Sequence, residues 1–377
     1  MSGEPSIIHV SQPTDGGVGR YVADLAADQA ARGWRVRVAS PTYGQLAEQT
    51  AAAGAEHIPW TAGRAPGPGS LLDATRLSRI VGTTEPDLVH LHSSKAGFAG
   101  RLALRGRLPT IFQPHAWSFE AVRGPVKPAA VAWERTAARW ASAILCVSEA
   151  ERARGEEHGV HASWHVIPNG VDLDMWSEAA PSDRGSARTS LGLEDRPTVV
   201  CVGRLCRQKG QDLLLEAWPL VRGSVPDAQL VLVGDGPDEA ALRRQAFDGL
   251  VLAGRRSNVA DWLAAADVVT LPSRWEGMSI GMLEAMASGR SVVASDVPGA
   301  REALDGEAGA IVPVGDAAAL GQAIAARLGD AARAAAEGKA ARQRVERFHD
   351  LRTVTAAVAE LYGELLGISS SREPSPL

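Results

Sequence analysis

Twice along this chain, short β-branched runs alternate with longer Ala- and Leu-rich segments of helical period. That alternation is the pattern of strands and crossover helices in a doubly wound parallel sheet. In the first half, residues 7–11, 35–39, 88–92, 110–114, 143–147 and 163–167 read as strands. In the second half, residues 198–202, 229–233, 250–252, 268–271, 292–294 and 310–312 do. Residues 168–197 between them are polar and carry several Pro, Gly, Ser and Asp, the composition of an interdomain connection. The sequence thus predicts an α/β chain of two Rossmann-like domains, residues 1–175 and 176–352, facing one another across a cleft. A helical pattern follows at 353–368, and the Ser/Pro-rich end, 369–377, reads as a disordered tail. Open α/β sheets bind ligands beyond the carboxyl ends of their strands, so function is expected in the loops that follow strands.

Composition narrows the class of ligand. With 45% hydrophobic residues, 22% charged residues and a net charge of -5, the 377-residue chain is neither largely disordered nor equipped with the basic face that a nucleic acid needs. Apolar runs extend only a few residues, far short of a bilayer span. The chain opens Met-Ser-Gly-Glu-Pro and enters a strand without the basic and apolar stretches of a leader, so the expected location is cytoplasmic. Cys146, Cys201 and Cys206 lie at no metal-ligand spacing and read as buried thiols. Of 39 basic residues only Lys95, Lys127, Lys209 and Lys339 are lysine, which draws attention to each, because an ammonium is a compact point charge that a guanidinium does not replace.

Three strand-following loops carry candidate chemistry. The first runs Thr14-Asp15-Gly16-Gly17-Val18-Gly19-Arg20 into a helix, and its amides can hold an anion or approach a sugar closely; a tight turn without function explains it equally well. It is neither a dinucleotide fingerprint nor a P-loop. In the second, Gly203-Arg204-Leu205 and Gln208-Lys209-Gly210 place an arginine and a lysine where they can neutralise a departing diphosphate, against the plainer reading of a solvated basic loop. The third, from Glu276 through Met278, Ser279 and Ile280 to Glu284, opens a helix whose free amides form an anion site. A carboxylate beside such a site suits the hydroxyls of a neutral sugar or ribose better than phosphate, although isolated glutamates there are more often caps and surface charges.

Gly16-Gly17, Pro114-His115, Pro168-Asn169-Gly170-Val171-Asp172, Gly203-Arg204-Leu205 with Lys209-Gly210, Gly234-Asp235-Gly236-Pro237 and Glu276-x7-Glu284, in this order, resemble the retaining GT-B glycosyltransferases of family 4. Each piece is weak alone; the ordered set spans nearly the whole chain. Leu91-His92-Ser93-Ser94-Lys95-Ala96-Gly97 and Pro114-His115-Ala116-Trp117 are most similar to enzymes of exopolysaccharide and cell-envelope assembly. The resemblance implies a nucleotide-sugar donor held mainly by the C-terminal domain, an acceptor held by the N-terminal one, and a C-terminal helix crossing back to the first domain. It implies that Arg204 and Lys209 bind the donor diphosphate, aided by amides of Met278, Ser279 and Ile280 and by Gly16 and Gly17. Glu284 takes ribose hydroxyls, Glu276 takes hydroxyls of the transferred sugar, and His115 serves the sugar's reactive side. Gly277 and Met278 stand where the family usually has Phe-Gly, which leaves the donor sugar open, with UDP-sugars first and GDP-sugars second. Retention of anomeric configuration is expected, by same-face attack in which the leaving phosphate accepts the acceptor proton. No cofactor and no metal are expected: Asp172-Leu173-Asp174 matches the Asp-x-Asp string of metal-dependent GT-A enzymes but lies in the interdomain segment.

For the acceptor, Ser94 and Lys95 follow a strand and open a helix, so they are read as a pocket for the phosphate of a lipid-linked acceptor, with a simple N-cap as the plainer alternative. Trp117 is assigned to the acceptor as well. Between Arg101 and Arg139 the basic residues Arg101, Arg105, Arg107, Arg123, Lys127, Arg135 and Arg139 interleave with Trp117, Phe119, Trp133 and Trp140, a composition suited either to an anionic membrane surface or to packed aromatics under solvated arginines. Peripheral contact with the inner membrane face is therefore an expectation. A secondary-metabolite aglycone is an alternative acceptor, and an epimerase of the same fold or a silent binding protein are rival functions. The string Gly277-Met278-Ser279-Ile280-Gly281 also fits a nucleophile elbow, with Asp296 or Asp305 and His349 in hydrolase order, but Pro272-Ser-Arg-Trp-Glu276 separates it from its strand.

Overall fold

The computed structural model describes residues 4–63, 69–179 and 184–368. Contacts divide the chain into two units, Met1–Pro168 with Arg352–Leu377, and Asn169–Leu351. The expected tail at 369–377 lies outside the described residues.

The first unit holds strands β1 (Ser6–Ser11), β2 (Arg35–Ser40), β3 (Glu56–Pro59), β4 (Leu88–His92), β5 (Thr110–Gln113), β6 (Ala143–Cys146) and β7 (Trp164–Val166). They form one sheet in the order β3-β2-β1-β4-β5-β6-β7, every pair parallel. The second unit holds β8 (Thr198–Val202), β9 (Gln229–Val233), β10 (Leu250–Gly254), β11 (Val268–Leu271), β12 (Ser291–Ser295) and β13 (Gly309–Val312) in the order β10-β9-β8-β11-β12-β13, again all parallel. Each unit is a doubly wound sheet, as the alternation predicts. One strand was not expected: β3 is a four-residue edge strand, Glu-His-Ile-Pro, partly exposed and too short for a pattern.

The inner strands β1, β4, β5, β6, β9, β11 and β12 are buried along their whole length, which is why they read as continuous apolar runs. His9, His90 and His92 break that rule; all three are fully buried. Cys146 and Cys201 are buried free thiols, pushed up by desolvation, Cys201 to about 12, while free Cys206 is only partly covered.

Strand order reverses between β1 and β4 in the first unit and between β8 and β11 in the second. These reversals open the crevices in which such sheets hold ligands. The helix Gly16–Ala31 follows β1, and the helix Ser93–Leu104 follows β4 directly. Residues 203–210 and 272–279 follow β8 and β11 and lead into the helices Gln211–Ser224 and Ile280–Ala287. The candidate loops thus stand at the two switch points.

The units divide after Pro168 rather than near residue 175, because the Asn-Gly-Val-Asp stretch is bonded into the second unit. Asn169 Nδ2–H donates to Met278 O at 2.7 Å, His349 Nδ1 meets Asn169 O at 2.9 Å, and Val171 bridges to Asp350. The returning helix Leu351–Leu366 packs in the first unit, with Tyr362 on His90 and stacked over Trp34. Asp172 accepts from the amides of Asp174 and Met175, so the Asp-Leu-Asp string begins a helix. Among the described residues no helix is long and apolar enough to cross a membrane.

Candidate active site

In the second unit, glycines let three loops close on one another. Gly234 has φ +140°, and a Cβ there would stand 2.1 Å from Gly203 O; at Gly236 one would stand 2.3 Å from Leu205 O. The Gly203 amide donates to Val233 O at 2.9 Å and the Leu205 amide to Asp235 O at 2.7 Å, fastening the loop after β8 to the loop after β9. On the other side Gly210, at φ +72°, would place a Cβ 2.0 Å from Pro272 O. The Arg274 amide donates to Gln208 O at 2.7 Å and Gln208 Nε2 to Trp275 O at 3.0 Å, while the Arg274 guanidinium forks onto Asp212.

This fastening brings Lys209 and Glu276 into a salt bridge, and Ser273 Oγ donates to the same carboxylate oxygen at 3.2 Å. Burial works to discharge Lys209, but the charge and the hydrogen bond of Glu276 together hold the ammonium above its ordinary pKa. An ammonium has three donors and Glu276 takes one, so two remain for a ligand. Arg204 stands exposed beside it and makes no ion pair among the described residues; its carbonyl accepts from Gln211 Nε2 at 3.1 Å.

Met278 and Ile280 are buried, so only their backbone faces a ligand. Ser279 is the N-cap of the helix Ile280–Ala287, with no side-chain cap bond, and Glu284 is half-buried one turn further on. Gly299 packs beneath this turn, where a Cβ would stand 2.8 Å from Gly277 O. Ser279 is thus a helix cap, not an elbow at a strand end.

In the first unit, Gly16 and Gly17 are exposed and open the helix after β1, with φ +69° and open space at Gly16. Lys95 departs from expectation. Its Nζ is 2.9 Å from Asp73 Oδ2 and donates to Ser70 Oγ at 2.7 Å, with Asp73 buried, so its charge is committed inside the unit rather than offered to a phosphate. Ser94 lies half-buried in the first turn of its helix. Trp117 departs as well: it is 1% exposed, stacks on Phe119 at 5.4 Å, and gives its indole N–H to Glu151 O at 2.7 Å, leaving nothing for an acceptor. The basic and aromatic stretch is partly interior for the same reason. Arg101 is fully buried against Glu134 at 2.7 Å and over the Phe112 ring at 3.7 Å. Arg123, Val126, Lys127, Arg135 and Arg139 remain exposed.

His115 sits in a strained turn. Both His115 (φ +52°) and Ala116 (φ +100°) have positive φ, a strain of about 1–3 kcal/mol per residue that persists only where the surroundings enforce it. Glu151, buried on the helix Glu149–Glu157, enforces it by accepting from the Ala116 amide at 2.6 Å and the Val147 amide at 2.9 Å. His115 Nε2 lies 3.2 Å from His92 Nδ1, His92 Nε2 lies 3.0 Å from His9 Nδ1, and His9 Nε2 lies 2.8 Å from Gln29 Oε1. Desolvation pulls His9 down to about 4 and His115 to about 3, and pulls His90 and His92 well below their usual value, so the four rings are neutral near pH 7. One nitrogen from each of His9, His90 and His92 lies within 4.8 Å of the others, close enough to converge on a metal ion, although His9 and His92 already share a hydrogen bond. Gln29, His9, His90 and Glu151 are the residues that sequence reasoning missed. The signal within reach was His90-Leu-His92 in a predicted strand, whose period of two puts both rings on one face.

Two doubly wound parallel sheets with ligand loops at both switch points define a protein of the GT-B class. The chain spans 96% of its length against 100% of the HepE structure of Anabaena, described in complex with UDP and glucose, with a TM-score of 0.81 at 22% identity. Within that class the chain belongs to the group 1 glycosyl transferases, glycosyltransferase family 4: residues 15–175 match the family described as Glycosyltransferase Family 4 and residues 196–330 that described as Glycosyl transferases group 1. It is 35% identical over 311 residues to the GDP-mannose-dependent alpha-(1-6)-phosphatidylinositol monomannoside mannosyltransferase of Mycolicibacterium smegmatis, covering 76% of this chain and 79% of that one. It is 37% identical over 201 residues to a Corynebacterium glutamicum GDP-mannose-dependent mannosyltransferase of a monoacylated form of the same acceptor, covering 50% of this chain and 53% of that protein.

Proposed function

We propose that this glycosyltransferase moves a hexosyl group, with retention and without a metal, from a nucleoside-diphosphate sugar to a hydroxyl of a lipid-linked or saccharide acceptor. The observation that carries the reading is the Lys209–Glu276 pair beside exposed Arg204 at the β8/β11 switch point. Lys209, held by Glu276, and exposed Arg204 can stabilise the charge that grows on a leaving diphosphate, a term that dominates when no acid–base pair is tuned for the task. The free amides from Met278 to Ile280 add to it, and Glu276 and Glu284 offer acceptors to sugar and ribose hydroxyls. Glu276 is committed to Lys209, which favours same-face attack over a covalent intermediate on that carboxylate. In the first unit, half-buried His115 and Ser94 remain the candidate contacts of the sugar and the acceptor. The exposed residues Arg123, Val126, Lys127, Arg135 and Arg139 are its candidates for peripheral membrane contact.

The sequence favours UDP-sugars as donors. Two relatives whose names specify GDP-mannose move GDP-mannose to first place and UDP-sugars to second. Thermal shifts of EDTA-treated protein with GDP-mannose, UDP-glucose and the free nucleotides test this, since a ligand at about 100 times its Kd adds about 2.7 kcal/mol. A shift with one nucleotide series, lost in Arg204→Ala and Lys209→Ala, supports the donor site. An inverted anomeric signal in the product overturns retention, and donor conversion without acceptor would instead favour an epimerase.

A further inference from the structure

A buried file of polar side chains ends at His115, and its members are explained by no packing need. Gln29, His9 and His92 are buried on three different elements, the helix Gly16–Ala31 and strands β1 and β4. Their ring nitrogens meet in a single line of contacts at 2.8, 3.0 and 3.2 Å. Each neutral imidazole has one N–H and one lone pair, so fixing one end of such a line fixes every ring in it. The line ends at Gln29: its Oε1, an acceptor, faces His9 at 2.8 Å, and its buried Nε2 has no hydrogen-bond partner among the described residues. His9 therefore carries its hydrogen on Nε2 and accepts at Nδ1 from His92 Nε2–H. His92 in turn accepts at Nδ1 from His115 Nε2–H.

We propose that Gln29, His9 and His92 are positioning residues that hold His115 as a single tautomer, hydrogen on Nε2 and lone pair on Nδ1. His115 Nδ1 has no partner among the described residues, and the ring is half-buried, pinned edge-on by Tyr21 at 5.2 Å. The file thus presents one hydrogen-bond acceptor, suited to a hydroxyl of the transferred sugar or the acceptor rather than to a phosphate oxygen, which would need a donor. This rests on the reading of His115 as a residue of the transfer reaction. It adds which atom of His115 acts, and which residues choose it.

The experiment is long-range proton–nitrogen NMR of protein labelled with 15N-histidine, which reads the hydrogen-bearing nitrogen of each ring, alongside steady-state kinetics. In the unmodified protein His115 is expected to be hydrogenated on Nε2 alone. His92→Leu is expected to leave His115 as a mixture of tautomers and to lower kcat by roughly ten- to a hundredfold with donor KM unchanged. Gln29→Met, at the far end of the file, is expected to shift the mixture in the same direction and serves if His92→Leu does not fold. His90→Leu removes a neighbouring ring that is off the file, and the His115 spectrum should not change. The proposal is overturned if His115 carries hydrogen on Nδ1 in the unmodified protein, if His90→Leu changes its tautomer as much as His92→Leu does, or if the purified protein holds a stoichiometric metal on His9, His90 and His92, since metal would take the lone pair of His9. A correct tautomer in a protein that transfers no sugar would overturn the transferase reading and leave the file standing.

Discussion

The ammonium of Lys209 is bonded to the carboxylate of Glu276, a charge pair that spans the joined loops after β8 and β11. Removing either partner removes a charge from the ligand site and strands the other. Lys209→Met is expected to weaken nucleotide-sugar binding by about 1.5–3 kcal/mol, the worth of hydrogen bonds to a charged group. Calorimetric titration of Lys209→Met, Glu276→Gln and the double variant checks it: the two losses should not add, because the residues share one interaction.

Glu151 holds the His115 turn through the Ala116 amide. Glu151→Gln replaces one acceptor oxygen by a donor, so one of the Ala116 and Val147 amides loses its partner. The expected cost is about 1–3 kcal/mol in urea unfolding, together with a fall in kcat as Ala116 relaxes from φ +100°. Unchanged kcat at reduced stability would show that the strained turn is not needed for turnover.

Acid should unfold this protein earlier than its carboxylates alone dictate. Burial holds His9 at about 4 and His115 at about 3, against 6.5 in the unfolded chain. Between these values the unfolded chain binds protons that the folded one does not. The stabilising contribution is complete above pH 6.5 and drains away as pH falls toward the folded values. Urea midpoints measured across that window should fall with pH, and His9→Gln should flatten the slope.

Arg101 and Glu134 form a pair that is all but sealed from solvent. Glu134→Ala leaves a buried guanidinium without its counter-charge, at an expected cost of about 3–5 kcal/mol, whereas Arg101→Met with Glu134→Leu should cost far less. Denaturant unfolding of the two proteins separates these outcomes. Liposome binding should be the same for both, since neither residue reaches the surface.

Lys95→Ala is expected to leave acceptor KM unchanged and to lower the melting temperature, because it leaves buried Asp73 with Arg76 alone, at 3.5 Å, as its cation. A raised acceptor KM would restore the phosphate reading of this lysine.

The second-unit loops were legible because their chemistry is local in sequence: Arg204 and Lys209 share one loop, and Glu276 and Glu284 share one loop and helix. The histidine file was not. His9 and His90 become neighbours through the register of β1 on β4, and His90 finds Tyr362 from 272 residues away. Spacing along a chain carries no trace of such meetings. Trp117 and Lys95 misled for a related reason, since a motif shows which residue stands at a position but not that Phe119 covers its ring or Asp73 takes its charge.

Anyone redirecting this chain to another nucleotide sugar inherits a constraint from Gly210, Gly234 and Gly236. A single methyl at any of the three would stand 2.0–2.3 Å from a carbonyl oxygen of a neighbouring loop. Libraries that vary these glycines would return misfolded protein rather than new donors. The room for redesign lies in side chains that meet solvent and leave the diphosphate alone, Ser279 first, while the main chain beneath them is best treated as a casting that cannot be bent.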